Sequence, residues 1–275
     1  MAMSINTNIS SMSAQKNLRA NESQLTASFN RLSSGLRVNT AADDAAGLAV
    51  SESMKAQIRS YGVADRNASD AISMAQTAEG ALGEIHGVLG RMRELAMQSA
   101  NGGTLSSTDR GHVNTEFSQL KAEITRIQGS SKYNGVSVVA AAAVSSQFQV
   151  GLGAAAADRI TVSFGGVSLT AVLATGSTVS SVTTASTALG VIDTAIGSVS
   201  TSRAKFGAAM NRLEVASANI QTMRLNLSAA NSRIRDVDVA HETAQLSRNQ
   251  VLTQAGVSVL SQANQLPQTA FGLLR

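Results

Sequence analysis

The sequence predicts a mainly α fold: long coiled-coil helices from both chain ends, plus a helical bundle with a small β-hairpin region. Three observations carry this expectation. Apolar residues recur at seven-residue intervals near both ends, and Ile192, Val199, Phe206, Leu213, Ile220, Leu227 and Ile234 hold that interval without a miss. A sustained period of about 3.5 residues marks a long helix in a left-handed supercoil. The 275 residues contain one proline, Pro267, so the main helix breaker is almost missing. Aromatics make up 3% of the chain and Trp is absent. Packing therefore falls to Ala, Leu, Ile, Val and Met, which suits thin helix–helix seams better than a broad aromatic core.

The elements follow in order. Leu18, Leu25, Phe29, Leu32 and Leu36 read as the a and d positions of a first helix, with Ile5, Ile9 and Met12 as a short stripe before it. Gly35 and the stretch from Asn39 to Gly47 interrupt it. Met54, Ile58, Tyr61, Ala68, Ile72, Ala75, Leu82 and Leu89 define a second helix, in which Asp65, Glu79 and His86 fall on the seam. Ile85 and Met92 carry its stripe one residue earlier, so the stripe rotates. Asn101-Gly102-Gly103 ends this helix, since glycine accepts the left-handed backbone of a C-cap. Ser106 to Asp109 has the pattern of a capping box and starts a third helix carrying Val113, Phe117, Leu120, Ile124 and Ile127. The short connection predicts that helices two and three fold back as an antiparallel pair.

The composition changes at Gly129: up to Gly190 the only charged residues are Lys132, Asp158 and Arg159. Asn134-Gly135 and Gly165-Gly166 are hairpin-turn dipeptides. Ile160–Phe164 and Val167–Leu169 alternate about the second and predict a hairpin there, followed by a Ser/Thr-rich loop over Ala174–Thr187. Arg235 to Asp238 breaks the apolar register of the long helix that follows. A last helix then carries Leu252, Val259, Leu266 and Leu273, again seven apart. The first and last helices have apolar stripes but no local hairpin partner, so each is the simplest partner of the other. Such a pair covers its stripes incompletely, is marginal alone and calls for identical neighbours; contacts that do not close make filaments.

Function classes fall away in turn. Lys and Arg number 22 against 18 Asp and Glu, a net charge of +4 with no basic run, so no nucleic-acid footprint is expected. The longest unbroken apolar run, Val138 to Val144, is seven residues, short of the roughly 18 that span a bilayer. Residues Met1 to Ser13 contain no apolar core of a secretory signal. Without cysteine there is no disulfide, thiolate metal site or Cys nucleophile. His241-Glu242 with Gln245 lacks the second histidine of a zinc helix motif and reads as a helix surface. Gly151-Leu-Gly153-Ala-Ala-Ala156 has the spacing of a dinucleotide-binding turn. It has no room for a following helix and no acidic residue at ribose distance, so it reads as a loop. Asp43-Asp44 points apart on a helix and reads as a cap of the second helix. Arg91 and Arg93 read as a solvated face. No catalytic residue, cofactor or metal site is expected.

The motifs resemble bacterial flagellin. The resemblance rests on Ser4–Asn8, Gln15–Leu18, Arg31-Leu-Ser-Ser-Gly-Leu-Arg37, Ala41-Ala-Asp-Asp-Ala-Ala-Gly-Leu-Ala49, Gln76–Leu82, Arg93–Ala96 and Tyr133-Asn-Gly135. Near the other end it rests on Asn211–Glu214, Ser232–Asp236, Gln262–Gln268 and Leu273–Arg275. It implies an inner coiled coil from residues 1–45 and 235–275. It also implies an outer core over 46–234, with helices over 46–100, 106–129 and 188–234 and a hairpin-and-loop region over 133–187. Large outer domains are not expected. It implies a structural subunit, not an enzyme, that self-assembles into the extracellular filament for motility. Inner-core assembly is expected at Leu18, Leu25, Phe29, Leu32, Leu252, Val259, Leu266 and Leu273. The outer-core seam is expected at Ile192, Val199, Phe206, Leu213, Ile220 and Leu227. Implied partners are further copies of the chain, the flagellar cap and hook-associated proteins, an export chaperone and the flagellar type III export apparatus. Toll-like receptor 5 is a further implied partner, through Arg91, Leu95, Gln98 and Glu116, although the family's usual Gln before that Arg is Gly90 here. A hook–filament junction protein shares the terminal helices and is the alternative. Leu32→Asp or Leu266→Asp is expected to abolish polymer by burying an unpaired charge, read by sedimentation; normal filaments from either variant contradict the seam.

Overall fold

In the computed structural model the backbone of residues 7–273 and the side chains of residues 7–265 are described. The helices are α1 (Ile9–Ser34), α2 (Ala45–Ala100), α3 (Ser107–Ser130), α4 (Thr170–Leu173), α5 (Val182–Arg235) and α6 (Val239–Leu273). The strands are β1 (Lys132–Tyr133), β2 (Val136–Ser137), β3 (Val144–Gln149) and β4 (Arg159–Phe164). The chain divides into two compact units, residues 1–56 with 226–275, and residues 57–225.

The 57–225 unit holds nearly all of the apolar core. Along α2 the buried positions run Ala64, Ala68, Ala71, Ala75, Ala78, Leu82, Ile85, Leu89, Met92 and Ala96, alternating four and three apart. The alanines allow close helix approach at one end, and the larger residues fill the other. Asp65 and Glu79, placed on the seam by the sequence reading, instead flank it. Ser217 donates to Asp65 at 2.6 Å, and Arg203 to Glu79 at 2.6 Å. Together with Arg93–Asp193 at 2.7 Å these pairs set α5 antiparallel to α2. On α5, Ile192, Val199, Phe206, Leu213 and Ile220 are buried.

α3 folds back on α2 as expected: Arg110 donates to the carbonyls of Ser99 and Asn101 at 3.2 Å. Its start is the expected capping box, with Asp109 N–H donating to Ser106 Oγ at 3.2 Å and Ser106 N–H donating to Asp109 at 3.1 Å. Ser106 holds the Asp109 carboxyl below its ordinary range. Val113, Phe117, Ile124 and Ile127 face inward.

β1 and β2 form the hairpin predicted at Asn134-Gly135, and both turn residues have positive φ. The second hairpin departs from expectation. β4 pairs with β3, with Val144 opposite Phe164 and Gln149 opposite Arg159, and not with Val167–Leu169. Gly165 and Gly166 donate to the carbonyls of Val138 and Ala140 at 3.2 and 2.9 Å, so they fasten the hairpin's end and do not turn it. Phe164 reaches Phe206 with ring centroids 5.4 Å apart, which places the hairpin on α5. The expected loop over Ala174–Thr187 is partly helical, because α5 already begins at Val182. Ser181 accepts from Thr184 N–H at 3.2 Å and caps that early start.

By length and composition α5 is also apolar enough to cross a membrane, with a stretch of mean hydropathy 1.2. Counting unbroken apolar runs missed it because Ser, Thr and Gly interrupt the stretch. Its Ile192, Ala195 and Val199 are buried in the core.

A Cβ at Gly165, which has φ +72, would lie 2.5 Å from the Ala142 carbonyl oxygen. Gly165→Ala is therefore expected to destabilise this unit by about 1–3 kcal/mol. Chemical denaturation would measure it, and an unchanged midpoint contradicts the strain.

Candidate assembly surface

The 1–56 with 226–275 unit brings the two ends of the described chain together. α1 and α6 run antiparallel: Asn8 donates to the Ala263 carbonyl at 2.8 Å, Ser11 to Asn264 Oδ1 at 2.8 Å, and Arg31 lies 3.9 Å from Glu242 at the other end. On α1 the seam is Ser11, Ala14, Leu18, Asn21, Leu25, Ser28 and Leu32. On α6 it is Glu242, Leu246, Asn249, Thr253, Gly256, Leu260 and Ala263. Both alternate three and four apart, as interlocking helices require. Small residues set the approach; a Cβ at Gly256 would lie 3.3 Å from Leu18 Cδ1. The layer between the leucines is polar or small.

The connection after α1 locks this pair to the end of α5. Gly35 takes the left-handed C-cap at φ 70. Arg37 N–H donates to the Arg235 carbonyl at 2.6 Å, and Val237 N–H to the Gly35 carbonyl at 3.1 Å. Leu36, expected in the first helix, pairs as a bridge with Asp236, because Gly35 has already ended the helix. Arg235 is buried and donates to Glu52 at 2.5 Å. That bond, with a second from Lys55, holds the Glu52 carboxyl below its ordinary range. Asp44 accepts from Gly47 N–H at 2.8 Å and caps α2 as expected. Asp43 turns back to Thr40, whose N–H and hydroxyl each donate at 2.9 Å and lower its pKa.

What this unit leaves uncovered is its distinctive property. Among the described residues its buried apolar side chains are Val38 and Ala263 alone. Ile9, Met12, Phe29, Val50, Val239, Val251, Leu252, Val257 and Val259 are all exposed.

Two family models match the sequence: the bacterial flagellin N-terminal helical region over residues 5–143, and the bacterial flagellin C-terminal helical region over residues 189–274. The chain belongs to the bacterial flagellin family. The flagellin of Halalkalibacterium halodurans is 43% identical over 275 residues, covering 99% of this chain and all of that protein. Flagellar filament core protein flaB2 of Brachyspira hyodysenteriae is 37% identical over 286 residues, with the same coverage. A crystal structure of Bacillus cereus flagellin is 34% identical, with a TM-score of 0.49, over 60% of this chain and 94% of that one.

Of the inner-core residues named from this flagellin's sequence, Leu18, Leu25 and Leu32 are half-buried in the α1–α6 seam. Phe29 is not in it: it is 64% exposed. One residue past Ser28, it is rotated about 100° off the seam, and the smaller serine takes the close contact. Leu252 and Val259 are 43% and 54% exposed, because a second seven-residue series, Glu242, Asn249, Gly256 and Ala263, faces α1 in their place. The side chains of Leu266 and Leu273, like Ile5, lie outside the described residues.

Of the α5 series, Ile192 through Ile220 are buried and Leu227 is half-buried. Arg91 bridges Glu116 at 2.8 Å and Glu94 at 3.0 Å, and Gln98 is exposed beside them. Leu95 is 2% exposed and belongs to the core, which corrects its reading as a surface contact. It lies three residues past the buried Met92, on the same face of the helix. His241 is an exposed residue at the start of α6, where its N–H donates to Asp238 at 3.1 Å. The Gly151–Ala156 stretch is the β3–β4 connection, closed by Val150 and Gly151 N–H groups on the Asp158 carbonyl at 2.9 Å.

Glu52 and Asp43 both have lowered pKa values in the folded state. Their stabilisation is present above the ordinary carboxylate values and is lost as pH falls through the folded ones. Amide exchange at Arg37 and Val237 in polymerised flagellin is expected to stay slow from pH 7 to about 5 and to accelerate below about 4. Glu52→Gln should already be faster at pH 7; equal rates in variant and parent refute the coupling.

Proposed function

We infer that this flagellin is a structural subunit of the bacterial flagellar filament, and that α1 and α6 are completed by neighbouring copies of the chain. One observation carries the reading: among the described residues, the unit built from both chain ends exposes nine large apolar side chains, and its buried apolar ones are Val38 and Ala263 alone. Fully covering one such side chain stabilises by about 1.5–3 kcal/mol. A polymer that covers several of them per copy has a large drive to form, and a lone copy has a marginal pair of helices. The relatives carry the names flagellin and flagellar filament core protein, which fit a repeating subunit and not a junction protein. The filament lies outside the cell, and the chain reaches it through the flagellar type III export apparatus with an export chaperone. The cap and hook-associated proteins meet the same terminal helices at the filament's ends. No catalytic role is assigned.

Recognition by Toll-like receptor 5 falls to Arg91, Gln98 and Glu116. The Arg91–Glu116 pair is exposed on α2 and α3 and holds both groups in place. Leu95 acts beneath them as packing.

Seeded polymerisation of purified full-length chain, viewed by negative-stain electron microscopy, tests the subunit reading. Long filaments are expected, with a gain in far-UV helical signal as the terminal helices order. Leu252→Asp or Val259→Asp should block growth while leaving the thermal transition of the 57–225 unit in place. Persistent monomers despite seeds refute the reading.

A further inference from the structure

Glu242 and Asn249 are 6% and 4% exposed, Ser28 is equally buried, and all three line one cleft of about 360 Å³ between α1 and α6. Arg31 lines it too. Its Nε is buried without a partner. Its Nη1 and Nη2 lie 3.9 Å from Glu242 and 3.6 Å from Asp43, both longer than a hydrogen bond. Among the described residues, no hydrogen bond engages the Asn249 carboxamide, the Ser28 hydroxyl or the Glu242 carboxylate. Only the backbone carbonyl of Asn249 is used, by Thr253 Oγ1 at 2.7 Å. A nitrogen buried this deeply is ordinarily paired; the Ser28, Asn249 and Glu242 side chains open onto the same cleft, which the chain's own Gln24 and Gln245 also line.

We propose that this cleft is a socket for a carboxamide side chain, Asn or Gln, of a second copy of the chain in the filament. The inference rests on the subunit reading above. The open groups need an occupant that both donates and accepts. Glu242 takes only donors, and Arg31 Nε–H offers only a donor. A carboxamide satisfies both in one planar group. An ammonium or guanidinium has no acceptor and would face Arg31; a carboxylate would face Glu242. The same helices supply the occupant. Gln254, Gln262 and Gln265 on α6 are exposed, as is Asn17 on α1.

The exposed Leu252 and Val259 lie on the same helix as Glu242 and Asn249. The apolar contacts supply attraction that tolerates sliding. Directional bonds in the socket select one axial position, as a single polar residue does in a coiled-coil seam.

Cryo-electron microscopy of filaments grown from the full chain tests this. The expected map shows an Asn or Gln of a neighbouring copy within hydrogen-bond distance of Glu242 or Asn249. Asn249→Ala and Ser28→Ala should each raise the critical concentration for seeded growth by about 2- to 10-fold, the equivalent of one lost hydrogen bond. Ser28→Ala places a strong helix former on α1 and carries the test if Asn249→Ala does not fold. Filaments whose cleft holds only water, the chain's own residues or another side-chain type overturn the socket while leaving the subunit reading intact. Failure of the parent chain to polymerise overturns both.

Discussion

A pair of helices can hide only one face of each, and in this flagellin the hidden face of α6 places Glu242, Asn249, Gly256 and Ala263 alongside Leu246 and Leu260 while Leu252 and Val259 stay outside. Where α1 meets α6, the contact layers between the leucines are Ser11, Ala14, Ser28, Asn249, Gly256 and Ala263. Small residues let the backbones approach, and polar ones add hydrogen bonds at the far end. Leu252, Val259 and Phe29 are left facing outward. Everything assigned to this unit follows from that choice. Few apolar side chains of its own are buried to hold it together, so in the proposed reading its stability is linked to the concentration of other copies.

The 57–225 unit is built on the opposite principle. Its buried stripe on α2 meets complementary stripes on α3 and α5, and the β3–β4 hairpin is fixed by Phe164 against Phe206. Charge pairs such as Arg93–Asp193 and Arg203–Glu79 lie on the rim of these contacts. Exposed pairs of this kind contribute little energy, so their value is in setting register between helices. This unit is self-sufficient because three helices can each offer a face to a shared centre, which two cannot do.

Much of this was legible from residue spacing. The heptad series on α5, the capping box at Ser106, the Asn134-Gly135 turn and the antiparallel α2–α3 pair all follow from local rules. Three features were not, and each failed for a physical reason. The partner of β4 is chosen by long-range packing on α5, so the Gly165-Gly166 dipeptide, a plausible turn by its sequence, became an anchoring point for backbone bonds. Leu95 is the apolar residue beside a surface arginine motif, and only the rotation of the α2 stripe shows that it points inward. The face of α6 that meets α1 is not the one hydropathy marks, which favours Leu252 and Val259 over Glu242, Asn249 and Gly256.

That last feature carries the most physical content. Two seven-residue series coexist on α6, offset by three residues, and a heptad repeat by itself says only that some face is held against a neighbour. It does not say whether the neighbour belongs to the same chain. Close packing within the chain favours small side chains, because a Cβ on Gly256 would already press on Leu18. Attraction between copies favours large apolar ones, because it must offset the loss of translational freedom on association. A helix that serves both contacts therefore carries a small or polar series for its own partner and an apolar series for the neighbouring copy. On α6 this logic assigns the Leu252 and Val259 series to the neighbouring copy, whereas on α1 the leucines Leu18, Leu25 and Leu32 serve the chain's own pair.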